Sequence, residues 1–307
     1  GARLFWIQII NGSYYKKLSE ENRIKLIANP PIRGRLLDRN GVVLADNKLF
    51  YSLSIQPRLV PSSDWIDLRK SLSDLLNVPS DQLELAFNRN NSDTPYKKVL
   101  LTDLSAEQVI RFKEQEKNFY GAQIDISLVR NYPYKSLAAH ALGYTQLITQ
   151  NEFSKLSERG YKLSDQIGRK GIEAAYESEL RGKWGGEMLE IDAIGTVQRS
   201  LGFRRPKAGK DIKLTIDLEM QRTAEKVLSD KVGGAIVALD PRTGAIRAIA
   251  SHPTFDLNFF SQPFTNQQYN NLFLSSNRPL LSRAFNAYDP GSTWKPVTAI
   301  AGMESGK

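Results

Sequence analysis

The chain contains no cysteine. That removes disulfides, thiolate nucleophiles and cysteine-ligated zinc from the chemistry open to it. Only two histidines are present, His140 and His252. A histidine-rich metal centre is therefore excluded, and a Ser-His-Asp triad has two places to draw its base from. Neither lies in a nucleophile-elbow pattern, so both read as structural or surface residues. Long apolar runs are also missing. Residues 2–10, Ala-Arg-Leu-Phe-Trp-Ile-Gln-Ile-Ile, are largely apolar, but a helix needs about 20 such residues to cross a bilayer. The run reads as a soluble amphipathic start or as the tail of an anchor helix, with Trp6 suited to an interface.

What is present is ordinary globular material. Of 307 residues, 41% are hydrophobic and 24% charged, enough for two or three domains with cores of their own. The net charge of +9 suits anionic surroundings such as phospholipid or cell-wall polymer. Nucleic-acid binding would need a clustered patch with interleaved aromatics. The basic residues are instead scattered in short groups such as Arg204-Arg205, and no nucleic-acid partner is expected.

Along the chain, residues 13–28 read as a polar helix stopped by Pro30-Pro31. Arg33 to Ala45 reads as strand, Asn40-Gly41 turn and strand. Residues 47–120 form an α+β unit: a strand at 49–56, then a helix at 62–76 capped by Ser62 or Ser63. That helix carries the stripe Trp65, Leu68, Leu72, Leu75 and Leu76. A helix at 80–88, a strand at 97–101 and a helix capped at Ser105 follow. Strands are expected at 124–130, 186–192 and 196–201, and helices at 136–142, 150–159 and 171–180. Arg204 to Lys210, basic with Pro and Gly, reads as a linker. Beyond it come a strand at 212–216, a helix from 218 capped by Asp217, a buried strand at 233–239, a tight Asp240-Pro241 turn and a paired strand at 245–250.

The chemistry concentrates in Ser292 and Lys295, three residues apart after Asp289-Pro290-Gly291. A helix starting near Gly291 puts both on one face, on the first turn of a buried helix. A serine hydroxyl needs a base, and lysine serves once burial or neighbouring positive charge lowers its pKa. The helix start also offers N–H groups to a developing oxyanion. Ser-x-x-Lys alone is weak, since Ser13-Tyr14-Tyr15-Lys16 repeats it with no chemistry attached. The flanking Pro290, Gly291 and Pro296, and the strand-turn-strand upstream, set Ser292 apart. The competing reading is a helix start with a solvated lysine.

Tyr288-Asp289-Pro290-Gly291-Ser292-Thr293-Trp294-Lys295-Pro296 resembles the nucleophile segment of penicillin-binding transpeptidases. Arg33-Gly34 with Asp38-Arg39-Asn40-Gly41, Gly168 with Gly171-Ile172-Glu173, Leu214-Thr215-Ile216-Asp217 with Gln221, and Asp240-Pro241 with Thr243-Gly244 resemble further motifs of the class B penicillin-binding proteins, in that family's order. Glu21 to Leu26, followed by Pro31-Ile32-Arg33-Gly34, resembles the cell-elongation branch, the penicillin-binding protein 2 group.

The resemblance implies an α+β multidomain fold. Residues 1–18 would be the end of a membrane anchor, 19–46 and 121–205 a pedestal, 47–120 an inserted head, 206–211 a linker and 212–307 the start of a transpeptidase domain. It implies a D,D-transpeptidase that cross-links peptidoglycan stem peptides, with Ser292 as acyl nucleophile and Lys295 as general base, no cofactor or metal, and β-lactams as covalent inhibitors. A RodA-like SEDS glycan polymerase and an elongation scaffold would be partners, on a single-pass inner-membrane protein with a periplasmic body. No Lys-Thr-Gly or Lys-Ser-Gly follows Ser292, and Ser275-Ser276-Asn277 precedes it. The chain as given is therefore expected to be truncated and inactive alone. The alternatives are a non-catalytic docking module, or a penicillin sensor or β-lactamase.

Overall fold

The computed structural model describes residues 24–61, 63–89, 98–162, 164–191, 197–261 and 269–306. The expectations for residues 1–23, including the second Ser-x-x-Lys, lie outside them. The strands in chain order are β1 (Ile24–Asn29), β2 (Leu36–Leu37), β3 (Val43–Ile55), β4 (Lys98–Thr102), β5 (Ala122–Asn131), β6 (Thr145–Leu147), β7 (Gln166–Gly168), β8 (Gly185–Ile191), β9 (Val197–Arg204), β10 (Ile212–Lys213), β11 (Gly234–Leu239) and β12 (Ile246–His252). The helices are α1 (Trp65–Leu76), α2 (Ser80–Arg89), α3 (Ala106–Gln115), α4 (Ala139–Leu142), α5 (Gln150–Leu156), α6 (Gly171–Ala175), α7 (Glu177–Leu180), α8 (Leu218–Leu228) and α9 (Lys295–Glu304). The fold is α+β, and the chain divides into two compact units.

The first unit takes the chain up to Arg33, with Ala45–Asn131 and Gly182–Gly209. Its antiparallel sheet runs β1-β8-β9. Residues 24–29, read above as helix, are strand, because Ile24 to Asn29 pair with Glu190 to Gly185. A partner some 160 positions away overrides a local pattern. Between Ala45 and Asn131, β3 pairs antiparallel with β4 and β5. The helices bury Leu72, Leu83 and Phe112 completely against these strands. Of the expected stripe on α1, Trp65, Leu68, Leu72 and Leu76 are buried and Leu75 is half-buried. Ser62 lies outside the described residues, and Ser63 does not cap the helix: Asp64 holds the N-cap without a side-chain bond to it, since the Ser63 hydroxyl and Tyr120 occupy its carboxylate instead. Ser105 and Gln108 form the full capping box on α3.

The second unit takes Gly34–Leu44, Tyr132–Arg181 and the chain from Lys210 onward. The turn after β2 places Gly41 at φ +90, with its N–H on the Asp38 carbonyl. The segment from Gly171 to Leu180 is two short helices meeting at Tyr176 rather than one. The expected strand at 212–216 is ordered as β10 over two residues only. β11 and β12 form an antiparallel hairpin closed by Asp240, whose carboxylate accepts from Arg242 N at 3.1 Å and from Arg247 at 2.9 Å. α8 lies against it, burying Ala224 and Leu228 on Ala248 and Ala250. β11 is not a buried strand. Its residues alternate, with Ala235, Val237 and Leu239 exposed, because only its α8 side is covered.

Candidate active site

The site is built on the start of α9. Gly291, at φ +52, turns the chain out of Pro290, and Gly291 to Trp294 form one 3-10 turn leading directly into Lys295. The Lys295 N–H donates to the Ser292 carbonyl. In a 3-10 turn residues i and i+3 eclipse, so the backbone sets Ser292 and Lys295 on the same side of the turn. Thr293, one residue on, turns back to close the cap, its hydroxyl donating to the Pro290 carbonyl at 2.5 Å. Pro296 lies in the first turn of α9, where no N–H is needed.

The expectation of a buried helix is overturned. Every residue from Asn286 to Ala301 is exposed, and α9 buries none of its side chains. Among the described residues, neither the Ser292 hydroxyl nor the Lys295 amine has a side-chain hydrogen bond or ion pair. The apolar residues of this segment are uncovered: Trp294 is 57% exposed, Ile300 56% and Met303 74%. Upstream, Tyr288 and Asn286 line an open groove with Arg283, Gly234 and Val237 along the β11 edge.

The Asp38 carboxylate is fully buried. One oxygen accepts from Asn40 N at 2.7 Å and Val42 N at 2.8 Å, and the other from Leu218 N at 3.3 Å. The Asn-Gly hairpin is thereby tied to the α8 N-terminus. Asp217 caps that terminus through Glu219 N and Met220 N, which with the Arg39 guanidinium hold its carboxyl below the usual range. Gly34 is required by the Lys210 carbonyl, which a Cβ would approach to 1.9 Å. Gly171, at φ +58, faces the Ala141 carbonyl at 2.4 Å in the same sense.

Gln221 is fully buried and completes β12 as a neighbouring strand would. Its oxygen accepts from Ile249 N at 2.8 Å, and its amide donates to Ile249 O at 2.9 Å and to Glu225 at 2.8 Å. Glu225 also accepts from Ala138 N at 2.6 Å. Burial pushes its carboxyl up, against these hydrogen bonds. Asn258 plays the equivalent part for Tyr132, bonding its N–H at 2.9 Å and its carbonyl at 3.0 Å. Glu225 and Asn258 were not singled out in the sequence, where nothing but a carboxylate on a helix and an Asx turn marks them. His140 is structural: its Nε2 meets the Pro279 carbonyl at 2.8 Å and its ring edges onto Phe255, and burial holds its pKa down. Ser275-Ser276-Asn277 lies in a turn.

Comparison with known proteins finds similarity along the whole chain to parts of longer chains. Residues 28–214 match the family described as the penicillin-binding protein dimerisation domain, and residues 234–307 the penicillin-binding protein transpeptidase domain. The peptidoglycan D,D-transpeptidase MrdA of Escherichia coli (strain K12) is 35% identical over 99% of this chain and 49% of its own length. A solved complex between penicillin-binding protein PBP2 and MreC from Helicobacter pylori superimposes with TM-score 0.77 at 25% identity, covering 92% of this chain and 53% of that one. A structure described as coordinating polymerization and crosslinking in a peptidoglycan synthase complex gives TM-score 0.67 at 29% identity, over 100% of this chain and 52% of that one. The chain thus spans about half the length of the curated relatives it matches.

Proposed function

We propose, for a chain that belongs to the penicillin-binding protein family, that it is part of a peptidoglycan D,D-transpeptidase of cell-wall elongation. Ser292 Oγ attacks the carbonyl carbon of the penultimate D-alanine of a stem peptide, and its proton passes to Lys295 Nζ. The C–N bond to the terminal D-alanine breaks, and that residue leaves with the proton. An amine of a neighbouring stem attacks the resulting ester, forming the cross-link and returning the serine. β-Lactams acylate the same oxygen. This chemistry calls for no metal or organic cofactor.

The observation supporting the reading is the 3-10 turn at Gly291–Trp294, which leads into a helix at Lys295 and closes with the Lys295 N–H on the Ser292 carbonyl. A lysine base and an oxyanion site both need exclusion of water, and the exposed α9 lacks it. We assign that cover to the further length that the relatives possess. Residues 19–46 and 121–205 are read as the pedestal and 47–120 as the head. A membrane anchor, a periplasmic body, a RodA-like polymerase and a scaffold of the MreC kind complete the proposal.

The test is labelling of the full-length protein with a fluorescent penicillin. One label per chain is expected, lost in Ser292→Ala, with acylation slowed about 100-fold or more in Lys295→Ala. The present chain alone is expected to label poorly. A Ser292→Ala protein that still took up label one-to-one would overturn the assignment. The exposure of α9 also favours a second reading, in which this part acts alone as a docking module. A pull-down of the polymerase with and without residues 47–120 separates the two.

A further inference from the structure

Strand β9 ends the β1-β8-β9 sheet, and among the described residues its outer edge pairs with nothing. Past its end the ladder continues. Lys183 and Lys207 exchange both backbone hydrogen bonds, at 2.7 and 2.9 Å, so two lysines stand directly opposite on adjoining strands. Like charges so placed destabilise a ladder. Arg204 and Arg205 flank them, and all four side chains are exposed. None has a carboxylate partner among the described residues. Beside them on β9, Leu201 is 40% and Phe203 57% exposed.

Basic residues on an edge strand can serve simply to repel other strands. Protection of that kind does not set exposed Leu201 and Phe203 on the same edge, nor oppose two lysines without a counter-charge. An open backbone edge, apolar side chains and uncompensated cations together match strand addition. We propose that β9 binds an extended acidic peptide segment of a partner protein. Its main chain would pair along Val197–Arg204, its apolar residues would meet Leu201 and Phe203, and its carboxylates would meet Lys183, Arg204, Arg205 and Lys207.

The probe is a fluorescein-labelled octapeptide of alternating valine and glutamate, titrated into the whole chain and read by polarisation. Two control peptides accompany it: one with lysine in place of glutamate, and one N-methylated at alternate residues. Saturable binding that weakens as salt rises is expected for the first peptide only. In Arg204→Glu/Arg205→Glu it should weaken about tenfold or more, with circular dichroism unchanged. Equal binding of the N-methylated peptide would show bare charge attraction and overturn strand addition. Co-sedimentation with phosphatidylglycerol vesicles without peptide binding would instead assign the cations to a lipid surface and overturn the proposal. No binding to either probe would reduce the cations to edge protection and overturn it equally.

Discussion

Gln221→Leu is the sharpest perturbation of the frame that joins α8 to β12. Leucine nearly matches glutamine in volume, so no large cavity opens. What is lost is polar. Ile249 keeps a buried N–H and a buried carbonyl that Gln221 satisfied at 2.8 and 2.9 Å. Each such orphan costs about 1–3 kcal/mol. Glu225 loses one of its donors as well. The added apolar burial returns about 1 kcal/mol. Two orphans less that return leave a net local cost of about 1–5 kcal/mol, which at 1.4 kcal/mol per decade is at least about fivefold and up to about 4,000-fold more opening. Hydrogen exchange at pH 7, read by mass spectrometry over residues 246–252, reports it. The amides of β12 paired with β11 should exchange faster by that factor, while the head keeps its protection. Protection of β12 within about threefold of the parent would show that Gln221 does not complete the strand.

Two titrations test the electrostatics. The Glu225 carboxyl lies above its ordinary 4.5 because it is buried, so it favours the fold while protonated. That contribution is present below about pH 4.5 and fades as pH rises through the folded value. Glu225→Gln keeps an oxygen for Ala138 N and Gln221, so calorimetry should show a flatter pH profile and a higher Tm at pH 7; a lower Tm there would refute this. The Glu152 carboxyl is held at about 2, first by the Arg169 guanidinium and then by the Thr149 N–H and hydroxyl. Its stabilisation is present above the ordinary 4.5 and lost as pH falls toward 2. Carboxyl NMR should find that low midpoint and its return toward 4.5 in Arg169→Gln; an ordinary midpoint in the parent would dissolve the pair.

Elements whose cause is local were readable in the sequence. The four-residue stripe of α1, the Ser105 capping box and the Asn40-Gly41 turn depend on neighbours a few positions apart. Elements decided at a distance were not. Lys25 and Leu26 follow a charged stretch that reads as helix, yet β8 claims them. Residues 234–239 are uniformly apolar and read as buried on both faces, but periodicity cannot say which neighbour will cover a face. The expected linker is held at Lys207 by Lys183 and at Gly209 by the Ile32 carbonyl, bonds that Pro and Gly content does not reveal. At the site, a helical turn starting at Gly291 followed from the local sequence, while the exposure of that turn did not.

That exposure bears on how a nucleophile motif works. The turn at Ser292 comes from adjacent residues: Gly291 supplies the positive φ, Pro290 the cap carbonyl and Pro296 the first helical turn. It therefore forms without a finished cleft around it. The activation proposed for the hydroxyl cannot form in the same way, because a lysine becomes a base only when its surroundings are desolvated or positively charged. Residues on α9 itself cannot desolvate their own outward face. Val297, Ile300 and Met303 lie three apart along α9 and are each about half exposed or more, an apolar face with no partner among the described residues. Covering that face and desolvating Lys295 call for the same event, the packing of further protein on α9. Geometry and reactivity at Ser292 are thus separable, the first written in nine consecutive residues and the second in whatever closes over them.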